Sequence, residues 1–90
     1  MKLSKVERSN RAHDRLFTKH ICAFGHDNEV RANYHRDVLA IQRKSGKILS
    51  LKDRQTLYRY NNDRIYPSKG KPVSRKAYLD LFRKNGVTHY

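Results

Sequence analysis

The chain has 90 residues, of which 21 are Lys or Arg and 8 are Asp or Glu, a formal net charge of +13 with the histidines neutral. Val, Ile, Leu and Phe number 20 of the 90, just above the level at which a strongly charged chain fails to fold, so one domain with one small core is expected over residues 1–90. No apolar run approaches the length of a membrane span or of a signal-peptide core, which points to a soluble intracellular protein, cytoplasmic or nucleoid-associated, with no membrane partner.

The first element reads as a helix over about residues 4–24. Ser4 and Glu7 have capping-box spacing, Val6, His13, Leu16, Phe17, His20, Ile21 and Phe24 recur at helical intervals, and Gly25 offers a left-handed stop. Arg8, Arg11, Arg15 and Lys19 form a basic row at three- and four-residue steps on another face. A second helix, over about 27–45, starts with Asp27 as its cap and Glu29 in its first turn. Its stripe is Val30, Tyr34, Val38 and Ile41, and Gly46 ends it. The short connection makes these two an antiparallel hairpin.

Residues 47–66 carry two signals. Ser50 and Asp53 pair as a cap, and Leu51, Leu57 and Tyr58 suit a helix from about 51 to 60. Thr56, Tyr58 and Tyr60 also alternate as in a strand, with Asn61–Asn62 as a turn, so a short β-hairpin near 57–66 is the alternative. Residues 67–73 read as a loop. The last helix, over 74–85, has Ser74 as its cap, a stripe of Ala77, Tyr78, Leu81 and Phe82, and a stop at Asn85–Gly86 with Val87 folding beneath. The fold class expected is a mainly α, small single-domain bundle of three or four helices. Its core is drawn from Leu16, Phe17, Phe24, Val30, Tyr34, Val38, Ile41, Leu57, Tyr78, Leu81 and Phe82.

Basic residues are spread evenly, with 11 in residues 1–47 and 10 in 52–84, so the charge is displayed on the folded body rather than on an arm. Such charge opposes compaction, and a polyanion relieves it with release of counterions. A non-catalytic nucleic-acid-binding protein is the favoured reading, with DNA ahead of RNA. The expected surface is Arg59, Tyr60, Arg64, Tyr66, Lys69, Lys71, Arg75, Lys76 and Arg83, where arginine meets phosphate and tyrosine meets bases. The row Arg8, Arg11, Arg15, Lys19 is the secondary basic face. Asn61 and Asn62 read as turn residues before base-reading ones. A helix-turn-helix with the last helix as reader fits poorly, because its connection is long.

Two other classes stand beside this one. A small interaction or inhibitor protein would use the same charge to dock on an acidic protein surface, such as a component of a nucleic-acid machine. A metal-independent ribonuclease would need groups such as His35 with Arg31, or Tyr66 with Arg64, around one phosphate. No metal or other cofactor is expected. His13 and His20 stand two turns apart, about 10 Å along a helix, and Cys22 has no ligand-spaced companion. The general character is that of small virus- or plasmid-encoded proteins, and oligomeric state is not legible.

Overall fold

A computed structural model describes residues 3–67, 70 and 72–87. Four helices follow one another: α1 (Lys5–Ile21), α2 (His26–Ser45), α3 (Leu51–Ile65) and α4 (Arg75–Lys84). No strand occurs among the described residues. The expected helical bundle is therefore the fold, and the hairpin alternative at 57–66 is replaced by the second half of α3.

Serine hydroxyls start three of the helices. Ser4, Ser50 and Ser74 accept from the amides of Glu7, Asp53 and Ala77, and Ser4 also donates to the Glu7 carboxylate. α2 begins differently from the expectation. Its cap is Gly25, at a φ of 116°, and Asp27 lies inside the first turn with no capping bond. Consequently α1 stops at Ile21, and Phe24 falls in the connection rather than on a helix. At the other ends, Gly46 takes the left-handed cap of α2, and the Val87 amide donates to the Phe82 carbonyl at 2.8 Å, closing α4.

Paired contacts fix the directions. Ser9 and Asn10 meet Gln42, His13 meets His35, and His20 meets Asn28, so α1 and α2 run antiparallel. Asp53 meets Lys84, Tyr60 meets Tyr78, and Asp63 meets the Val73 amide, so α3 and α4 are antiparallel too. The core that joins the two pairs is Val38, Ile41, Leu49, Leu57, Tyr78, Leu81 and Phe82.

α1 contributes no residue to that cluster; its one buried side chain is His13. Gln42, fully buried on α2, donates to Ser9 and Asn10 and accepts from the Leu49 amide, so polar groups contribute to holding the α1–α2 seam. Leu16 is 37% exposed and Phe24 fully exposed, which corrects their assignment to the core. Phe24→Ser is accordingly expected to change the unfolding free energy, measured by urea titration, by less than about 0.5 kcal/mol, as for other surface positions.

One buried carboxylate ties three helices together. Asp37 Oδ2 accepts from Tyr78 Oη at 2.7 Å and from Asn61 Nδ2 at 2.9 Å. Asn61 also donates to the Leu57 carbonyl and is 1% exposed. This explains why α3 passes through Asn61–Asn62 to Ile65 instead of turning or stopping near 60: tertiary hydrogen bonds override a local turn preference. It also explains the strand-like spacing of the tyrosines. Tyr58 leans on Tyr34 on one flank of α3, while Tyr60 stacks on Tyr78 on the other.

Candidate nucleic-acid interface

The Tyr60–Tyr78 stack is the floor of a shallow cleft between α2, α3 and α4. The rings lie 3.9 Å apart and within 11° of parallel. Arg36 from α2, Arg64 from α3 and Arg75 from α4 line the cleft with Leu79, enclosing about 310 Å³. The Arg64 guanidinium stands 5.9 Å from the Tyr60 ring centroid, within cation–π range. No carboxylate is among these lining residues. Asp37 lies fully buried behind the stack, its Oδ1 3.8 Å from Arg36 Nε, and it holds the Tyr78 hydroxyl.

The remaining expected residues are distributed more widely. Tyr60 is half-buried rather than free, so it offers an edge and not an open face. Arg59 lies on the opposite flank of α3 and lines a different pocket. Tyr66 is exposed, but its hydroxyl donates to Asp27 at 2.9 Å, and that bond to a carboxylate raises its pKa. Arg83 lies 4.0 Å from Asp80, one turn back on the same helix. Lys76 is exposed on α4. Lys69 and Lys71 lie outside the described residues. Arg36 had no place in the expected set, because nothing local marks it; only the crossing of three helices brings it to the cleft.

The row Arg8, Arg11, Arg15 and Lys19 is exposed along α1. It spans roughly 16 Å of helix axis, and no ion pair engages its members among the described residues. This is a linear face, with cationic side chains from one helix and no aromatic ring among them.

The histidines gather elsewhere. His13 Nδ1 lies 2.8 Å from His35 Nδ1, and the His20 ring is nearly parallel to that of His35, 8° apart in plane with centroids at 5.9 Å. Burial lowers the His13 pKa, and the Arg54 charge lowers it further. Burial, then the charges of His13 and His20, pushes His35 down to about 4. His35 is thus bonded to His13, and Tyr66 to Asp27. Among the described residues no group of three or more His, Cys, Asp or Glu is disposed to hold a metal ion. Among them, too, no helix is long and apolar enough to cross a membrane.

Comparison of the chain with protein-family models, curated proteins and solved structures gives no match.

Proposed function

We propose that the protein binds nucleic acid without catalysing a reaction on it, DNA ahead of RNA, and that the cleft between α2, α3 and α4 is the principal contact. The observation that carries this reading is the convergence of Arg36, Arg64 and Arg75 from three helices on a lining without a carboxylate. Guanidinium groups match phosphate oxygens in a planar, two-pronged way, and three of them here project from separate helices of one packed bundle. The net charge of +13 supplies long-range attraction to any polyanion, and the cleft gives that attraction a register. Such a role places the protein where nucleic acid is, in the cytoplasm or on the nucleoid.

A mobility-shift titration with a short DNA duplex at several salt concentrations tests this. Each phosphate neutralised contributes about −0.9 to the slope of log affinity against log salt, so three cleft contacts give about −3 or steeper. Absence of binding at low salt would refute the reading and make an acidic protein surface the partner to seek.

A further inference from the structure

A second pocket, of about 420 Å³, opens on the other flank of α3 and is lined by Tyr34, Leu51, Arg54, Gln55, Tyr58 and Arg59. Its composition is unusual for a solvated surface. Tyr34 and Tyr58 meet edge to face with centroids 5.5 Å apart, Leu51 is 62% exposed, and two guanidinium groups stand among these apolar walls. Arg54 lies close enough to the Tyr34 hydroxyl for its charge to act on it, yet its Nε is buried with no hydrogen-bond partner among the described residues. No carboxylate forms an ion pair with Arg54 or Arg59 among those residues. Apolar walls call for a flat apolar body, and uncompensated guanidinium groups call for an anion attached to it. Gln55 adds an amide able to both donate and accept at the edge of such a ring.

We infer that this pocket takes one unstacked nucleotide of a single strand, its base against the Tyr58 ring and its phosphate on Arg59 and Arg54. The inference rests on the nucleic-acid reading above and sharpens it. A base in a duplex is already stacked and paired, and entering the pocket would require it to be extruded, so the pocket discriminates in favour of single strands. The cleft of Arg36, Arg64 and Arg75 carries no such preference, since phosphates are present in both forms.

The test compares a single-stranded oligonucleotide with its duplex. Tyr58→Leu is expected to lower single-strand affinity about tenfold, while leaving duplex affinity within about twofold, and Tyr58→Phe, which keeps the ring, restores the single-strand value. Equal losses on both substrates, or no loss on the single strand, would overturn the inference. A second measurement does not depend on any variant folding: titration of the wild-type protein with 5′-AMP, followed by amide chemical shifts. Saturable shifts centred on Leu51, Arg54, Gln55 and Tyr58 are expected, and none there by ~10 mM would overturn the pocket assignment. Failure of both oligonucleotides to bind would refute the function proposed above, and the AMP titration would still decide the pocket.

Discussion

Replacing Asp37 by Ala is expected to destabilise the fold by about 3–5 kcal/mol, measured by urea denaturation at neutral pH. The carboxylate is fully buried and accepts from Tyr78 on α4 and Asn61 on α3 through one oxygen. Its removal leaves a buried hydroxyl and a buried amide donor without this acceptor, and each such orphan costs about 1–3 kcal/mol. A chain of this size has little reserve; small domains hold 5–15 kcal/mol in all, and short ones lie near the lower figure. Asp37→Ala is thus expected to be substantially unfolded in mild urea. Tyr78→Phe removes one donor and leaves Asn61 on the carboxylate, so its cost is smaller, about 1–2 kcal/mol. A loss below 1 kcal/mol for Asp37→Ala would mean that the three-helix junction is held by apolar packing alone.

Acid is expected to loosen the α1–α2 seam well above the range in which most carboxylates titrate. The His13–His35 bond joins two Nδ1 atoms, so one ring donates and the other accepts, and a second proton there would set two donors face to face. Tyr34 on α2, His20 on α1 and Arg54 on α3 also face the pair, and none of them brings a negative charge to compensate. His35 has a folded pKa of about 4 against an ordinary value of 6.5. The folded state therefore resists a proton that the unfolded chain accepts readily. Stability is full above pH 6.5, falls progressively as pH drops from 6.5 to 4, and loses nothing more from this residue below 4. Solvent reaches part of the ring, so the loss is about 2 kcal/mol, less than full conversion of the shift. His13, lowered in the same direction, adds to it. Unfolding free energies from urea titrations at pH 7 and pH 4.5 should differ by most of this amount, and His35→Gln, which keeps a hydrogen-bonding side chain without titrating, should shrink the difference. A variant as acid-sensitive as the wild type would place the cause elsewhere.

These two features mark the boundary of what the sequence makes legible. Caps at Ser4, Ser50 and Ser74, and the stops at Gly46 and Asn85–Gly86, are local chemistry and read directly from neighbours three or four residues apart. The core of α2, α3 and α4 is legible for the same reason, because Val38, Ile41, Leu57, Leu81 and Phe82 sit on apolar stripes. The docking of α1 is not. Leu16, and Phe24 just beyond the helix, suggest a buried face yet are exposed, while His13, Ser9 and Asn10 bond partners 22 to 33 residues away. His13 and His20 do fall on the helical stripe, but their polar partners, and the pairing of Ser9 and Asn10 with Gln42, leave no periodic trace in the sequence. Asn61 is misleading for a related reason: it is a turn residue by local preference, and Asp37, 24 residues earlier, makes it helical and buried. The candidate interface is half legible. Arginine and tyrosine in residues 59–75 announce the chemistry, and Tyr60, Arg64 and Arg75 do meet. Arg36 joins them only through the crossing of α2 with the α3–α4 pair, and Arg59 leaves them because it lies on the far flank of α3.

The most direct measurement is the salt dependence of duplex binding in two charge-neutral pairs, Arg64→Gln with Arg75→Gln, and Arg8→Gln with Arg15→Gln. The cleft pair should reduce the magnitude of the log–log slope by about 2 and weaken binding across DNA sequences, while the α1 pair should change the slope less. Circular dichroism of both variants checks that they stay helical. A larger slope change from the α1 pair, with the fold intact, would contradict the assignment of the cleft and move the interface to the row along α1.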